Sequence, residues 1–263
     1  MTELESMYSK EISNHRSWLN LFDKRRGGRW KQLLKSDPEA AICEASMRQL
    51  LSEHGITVEP YESLGAGGPD FICKREGKSF FTEVTCVKME KVTSRTNLAD
   101  KPTGGGFYGS LTDVFLSELC NKVTQCSDSN APCVVAISTL HFQGGALCFG
   151  KRAAEDLLTG TTKITWKYNA QRGQAIGDPY ESTSLQDSAF IRFVKGASGK
   201  IEFARNPVSA VILCAFRPDP AKVVGALHPN PNHQFERSLL LNIEFGRIVQ
   251  GSWDTGCLKV EWI

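Results

Sequence analysis

Two carboxylates stand where strands seldom keep them. In GGPDFICKREGKSFFTEVT, Gly67–Thr85, Asp70 opens one apolar run and Glu83 sits deep in the next. Acidic side chains are depleted in strands and rarely buried without partners. With Arg75–Lys78 read as a four-residue hairpin loop, Lys74 faces Ser79, Ile72 faces Phe81 and Asp70 faces Glu83, all on one side of the ribbon. Opposed Cβ atoms lie roughly 5 Å apart, so two like charges there repel unless something positive sits between them. Thr85 shares that side. The other side carries Phe71, Cys73, Thr82, Val84 and Cys86, a surface for packing.

A third acid comes from the segment PEAAICEASMRQLL. Counted at about 100° per residue, Ala40, Met47 and Leu51 fall within about 60° of Glu44, which puts Glu44 in the apolar stripe. Glu44, Asp70 and Glu83 together suit a hard divalent cation, Mg²⁺ or Mn²⁺; Mg²⁺ takes one or two carboxylates plus waters and substrate oxygens. Each acid also has a plainer reading. Glu44 can pair with Arg48 at i+4, Asp70 can make a turn after GGP, and Glu83 can guard a sheet edge. Their coincidence in one helix–hairpin unit favours the metal site.

The elements that must position these residues follow from pattern and punctuation. The first ~35 residues are charged, with a weak helical pattern around Trp18, Leu19 and Phe22. Asp37 caps the next helix, Pro38 fits its first turn and Gly55 stops it. Ile56–Glu62 reads as a strand whose Pro60 places it at an edge or a strand end. After the GAGGP loop and the hairpin, Lys88–Gly109 is polar and glycine-rich, with GGG at Gly104–Gly106, and reads as a long flexible loop. A second helix spans about Ser110–Cys126, and Pro132–Ser138 is a β-branched run suited to a buried strand. A short helix near Lys151–Leu158, a polar stretch, a strand pair around KGASGK, two strands in NPVSAVILCAF and KVVGALH, and an edge strand LKVEWI complete the chain. The expected architecture is α/β: an N-terminal helical, basic segment (1–36), a core of order αβββαβ with a mixed sheet flanked by helices (37–139), and a β-rich C-terminal elaboration packed on it (140–263).

These features resemble the PD-(D/E)XK nuclease superfamily, the restriction-endonuclease-like fold. The carrying residues are Pro69-Asp70, the spacer, and Glu83-Val84-Thr85, set in the order helix, three strands, helix, strand over about residues 38–139. The resemblance implies a divalent-metal phosphodiesterase acting on nucleic acid, with DNA the favoured form. It implies Asp70 and Glu83 as metal ligands, and Glu44 where many members carry an additional helix acid. The departure is Thr85, where the family most often has lysine. That lysine would orient water and stabilise charge developing on the phosphate. Threonine brings a hydroxyl and no charge, so either another lysine reaches in or the module is catalytically silent and binds nucleic acid or a partner protein.

Lys122 is the candidate for the relocated cation. It lies on the stripe of Leu111, Phe115, Leu119 and Cys126, pointing inward against its nature, with Gln125 three positions on. The resemblance adds weight, since related enzymes sometimes supply a polar residue from this helix. The alternative is a lysine whose head reaches solvent. Lys88 ranks lower, because its odd spacing from Glu83 turns it to the other side.

Basic residues gather in DKRRGGRWK, where Lys24, Arg25, Arg26 and Arg29 can track a phosphate backbone and Trp30 can stack a base; a solvated helix end is the plainer reading. KITWKYNAQR, with Lys163, Trp166, Lys167, Tyr168 and Arg172, mixes cations and aromatics in the same way, against the alternative of a strand with a packed tryptophan. His228 and His233, in a proline-rich stretch, read first as a rigid turn. The net charge of +2 over 263 residues favours no polyanion, so any basic surface must come from clustering. Nine scattered cysteines without a C-x-x-C pair predict reduced, buried thiols and a cytoplasmic setting. The N-terminus lacks an apolar signal core, and no run of about 18 apolar residues suggests a membrane span.

Overall fold

The structure, a computed structural model, describes residues 2–61, 68–102, 108–194, 201–217, 220–252 and 257–263. The GGG of Gly104–Gly106, the KGASGK turn, the first part of the GAGGP loop and the Lys163 side chain lie outside the described residues. Three helices, α1 (Glu3–Met7), α2 (Ser9–Phe22) and α3 (Lys24–Ser36), precede the long α4 (Pro38–Glu53). The basic cluster is therefore helical: Asp23 starts α3 by accepting from the Arg25 amide at 2.8 Å. Asp37 accepts from the Ala40 amide at 3.0 Å to start α4, and Gly55, at φ 75°, takes the left-handed conformation just after it. Leu19, Trp30, Ala41 and Ala45 join α2, α3 and α4 in one apolar cluster.

Strands β1 (Thr57–Pro60), β2 (Phe71–Arg75) and β3 (Lys78–Cys86) follow. The β2–β3 register is the expected one, with Lys74 opposite Ser79 and Ile72 opposite Phe81. The loop is tighter than expected: Arg75 pairs with Lys78, leaving a two-residue turn at Glu76-Gly77 with φ 52° and 74°. Positive φ at both positions matches the right-handed twist of the flanking strands. The stretch read as a flexible loop contains a further helix, α5 (Met89–Thr96). Its buried residues, Val92 and Thr96, stand at i and i+4, and Glu39 of α4 accepts from the Met89 amide at 2.7 Å. Two apolar-side contacts in a polar sequence are too few to register as a periodic signal.

Helix α6 (Thr112–Cys126) leads to β4 (Cys133–Thr139), and Cys126 and Cys133 are joined as a disulfide across that connection. This corrects the expectation that all nine cysteines are thiols; six described cysteines are free. Then come α7 (Phe142–Cys148), α8 (Lys151–Thr159), an antiparallel hairpin of β5 (Thr161–Asn169) and β6 (Gln174–Ser184), and the short pair β7 (Ile191–Phe193) and β8 (Ile201–Phe203). The last strands are β9 (Ala210–Ala215), β10 (Lys222–Leu227), β11 (Phe245–Ser252) and β12 (Cys257–Trp262).

The main sheet has eight strands in the order β1-β2-β3-β4-β9-β10-β11-β12 and is mixed. β4 pairs parallel to both β3 and β9, and both β4 and β9 are buried along their length, as strands covered on both faces must be. One face packs Phe71, Cys73, Phe80 and Val134 against Met47 and Leu51 of α4. The other packs Phe81, Val135 and Ile137 with Phe115 and Leu119 of α6 and Leu157 of α8. The protein is thus α/β, a large mixed sheet flanked by helices, with the proline-ended β1 at one edge and β12 at the other. Among the described residues no helix is long and apolar enough to cross a membrane.

Candidate functional site

The hairpin and the helix above it bring the unusual acids together with a cation. The β2–β3 ladder ends at Phe71–Thr82, so Asp70 falls one position beyond the last pair, opposite Glu83 by continuation of the register. The Asp70 Oδ2 accepts from the Val84 amide at 2.7 Å. Glu83 is 1% exposed. Its Oε1 accepts from the Lys122 amine at 2.6 Å, and its Oε2 is buried with no hydrogen-bond partner. The inward-pointing lysine of α6 therefore reaches the acid of β3. Gln125, three residues on, lines the same cleft with its Oε1 buried and unpartnered.

Electrostatics follow from this burial. The Glu83 carboxyl is pushed up to about 8, chiefly by desolvation and then by the Asp70 charge, against the opposing pull of Lys122. Burial works to lower the Lys122 amine, but the charge and hydrogen bond of Glu83, with Asp70 and Glu118 behind it, hold it above the ordinary lysine value. Lys122 stays a cation, and the buried Glu83 carboxyl gives up its proton less readily than an ordinary glutamate.

The cleft holds about 260 Å³ and is lined by Glu44, Asp70, Glu83, Lys122 and Gln125, with Arg26, Arg29 and Trp30 from α3. Glu44 does not pair with Arg48. Its Oε1 lies 3.2 Å from His15 Nε2, while the Arg48 guanidinium lies over the Trp18 ring at 5.2 Å. Burial first, and then Arg48, push His15 down to about 3, so it meets Glu44 as a neutral donor.

Three expectations need correction. Thr85 does not line the cleft; its hydroxyl donates to Glu118 at 3.0 Å, and Lys91 donates to the other Glu118 oxygen at 3.1 Å. Trp30 is 4% exposed and packs 4.8 Å from the His15 ring, so its face is closed to a base. The basic cluster divides, because Arg26, Arg29, Trp30 and Leu33 stand at i, i+3, i+4 and i+7 and share one helix face. Lys24 and Arg25 fall off that face and do not line the cleft; Arg25 folds back on Asp23 at 2.8 Å. Sequence reasoning also missed Glu118, although its place four residues before Lys122 put it on the same stripe. Lys88 pairs with Asp37, away from Glu83. His228 is tied into its turn by Ala204 and Asn230, as a structural residue is.

The acids line one cleft but do not close into a cage: among the described residues no group of three or more His, Cys, Asp or Glu is placed to hold a metal ion. An all-protein cage is therefore not what these residues form. They do fit a hard divalent cation that keeps several waters, which needs only one or two carboxylates. Glu83 Oε2 and Gln125 Oε1 are buried acceptors still lacking a donor or cation, an unfavourable condition that a hydrated cation would relieve. Compared with family models, curated proteins and solved structures, the chain matches none.

Proposed function

We propose that the protein is a divalent-metal-dependent phosphodiesterase acting on nucleic acid, with DNA the favoured form, on a restriction-endonuclease-like core. The observation that carries this reading is the Lys122–Glu83 contact inside a cleft shared with Asp70, Glu44 and Gln125. Asp70 and Glu83 would hold Mg²⁺ or Mn²⁺, with Glu44 at the margin of the site. When bound, the metal supplies Lewis acidity toward the phosphate and lowers the pKa of water. Lys122 contributes a cation held against solvent, placed to stabilise charge developing on a phosphate oxygen in place of the missing motif lysine. The Gln125 Oε1 accepts a hydrogen bond from a water and so orients it. Arg26 and Arg29 supply positive charge at the cleft for backbone phosphates. Thr85 acts at one remove, holding Glu118 beside the α6 stripe.

The experiment is metal-dependent cleavage of plasmid, linear DNA and RNA, with a Glu83→Ala variant alongside. The reading expects cleavage in Mg²⁺ or Mn²⁺, none in chelator, and none from the variant. Equal activity in both proteins removes the assignment. A second reading, a catalytically silent module that binds nucleic acid or a partner protein, is favoured by Thr85, which stands where the resemblance expects a lysine. Binding without cleavage, indifferent to metal, would select it. The six free thiols support a cytoplasmic setting for either reading; the Cys126–Cys133 bond does not.

A further inference from the structure

Among the described residues the β5–β6 hairpin pairs with no strand of the main sheet. A two-stranded ribbon is marginal in water unless something covers it, yet this one carries its large side chains outward. Trp166 is 55% and Tyr168 60% exposed, and Ile164 and Ile176 are more than half exposed. The tryptophan that a packed strand would have buried is thus at the surface. Trp166 and Tyr168 stand two positions apart on β5, whose pairing with β6 is irregular between Thr165 and Lys167. Lys167 between them is exposed, as is Arg172 at the tip, and neither has an ion-pair partner among the described residues. The tip itself is ordered: Asn169 Oδ1 accepts from the amides of Gln171 at 3.0 Å and Arg172 at 3.1 Å. From Thr161 to Gly173 the sequence contains no acid, whereas β6 carries Asp178 and Glu181, so the positive charge of the hairpin is concentrated on β5 and the tip.

We propose that this hairpin is a binding arm for single-stranded nucleic acid. Trp166 and Tyr168 stack unpaired bases, and Lys167 and Arg172 hold the adjoining phosphates. The charge complements a polyanion, and the exposed rings select for bases that are free to stack, since every base offers a π-face. An acidic peptide would satisfy the cations and leave the rings in water. The use such binding serves rests on the nuclease reading; the binding itself does not.

The test measures fluorescence anisotropy of a labelled single-stranded oligodeoxynucleotide and of its duplex, with the full chain in chelator so that nothing is cut. The Trp166→Ala/Tyr168→Ala variant is expected to lose about tenfold or more in single-strand affinity and less on duplex. Trp166→Phe/Tyr168→Phe should restore most of it. Lys167→Gln/Arg172→Gln should flatten the slope of log affinity against log salt by about 1.4 for two phosphate contacts. Because binding is measured in chelator, it does not depend on a metal in the cleft, so failure of the cleft reading leaves this result standing. Unchanged single-strand affinity in the alanine variant, or an equal loss on duplex, overturns the proposal. So does a change only in self-association, measured by light scattering, which would make the arm a contact between copies of the chain.

Discussion

The Lys122–Glu83 pair concentrates the chemistry of the cleft in one hydrogen bond. Removing one partner of a buried pair is costly, about 3–5 kcal/mol, because it strands the other charge. Glu83 has an escape, since its carboxyl already lies near 8 and can take up a proton. Lys122→Met is therefore expected to destabilise the protein more at pH 9 than at pH 6, read by urea unfolding, while cutting cleavage ~10²-fold or more. A variant that cuts at the wild-type rate would take the relocated cation out of the mechanism. Substitution separates the hydrogen bond of Asp70 from its charge. Its Oδ2 accepts from the Val84 amide, and its charge opposes ionisation of Glu83. Asp70→Asn keeps an acceptor and removes the repulsion, so in chelator it should be neutral or stabilising, whereas Asp70→Ala should lose about 1 kcal/mol. A clear loss for the asparagine variant would make the charge itself structural. Asp70, Glu83 and Lys122 were legible because strand alternation and helical period fix sides without tertiary knowledge. The Thr85–Glu118 bond was not, since it joins residues 33 positions apart on elements whose approach no local pattern states. Trp30 was misread for another reason: its type was weighed before its helix face.

At the scale of elements, the turn after β10 shows how a buried histidine serves structure. His228 Nε2 donates to the Ala204 carbonyl at 2.9 Å and Nδ1 accepts from the Asn230 amide at 2.9 Å, so the neutral ring is fully bonded. Burial pushes it down to about 4 from the ordinary 6.5, and protonation would set two N–H groups against each other. The folded value lies below the unfolded one, so the unfolded chain binds this proton first. Stability is fully present above about pH 6.5 and falls as pH drops toward 4, by up to about 1.4 kcal/mol per unit. His228→Gln should be less stable at pH 7.5 and should flatten the acid side of the urea-unfolding profile; parallel profiles for the two proteins would contradict this. The helix Pro38–Glu53 and the hairpin register were readable because caps and alternation are local. Helix α5 was not, with only Val92 and Thr96 buried. The β5–β6 arm escaped notice as a hairpin because the described side chains from Ile164 to Pro179 are mostly exposed and impose no apolar pattern.

For the whole molecule, the β4–β9 pairing that unites the two halves of the sheet joins strands separated by about seventy residues of helices and hairpins. Strand sequences such as CVVAIST and AVILCA announce burial on both faces without naming a neighbour, which is why the strands were legible and their order was not. That pairing seats the β2–β3 hairpin near one edge of a large sheet, where residues of α3, α4 and α6 line the cleft beside it. The central claim is that this cleft takes a divalent cation beside Lys122, and thermal unfolding with and without Mn²⁺ or Mg²⁺ tests it most directly. A cation that binds only the folded chain stabilises it by mass action, about 2.7 kcal/mol at a hundredfold excess over Kd. The account expects a saturable rise in Tm for the wild type that Glu83→Ala abolishes. No rise in the wild type, or the same rise in Glu83→Ala, would contradict it.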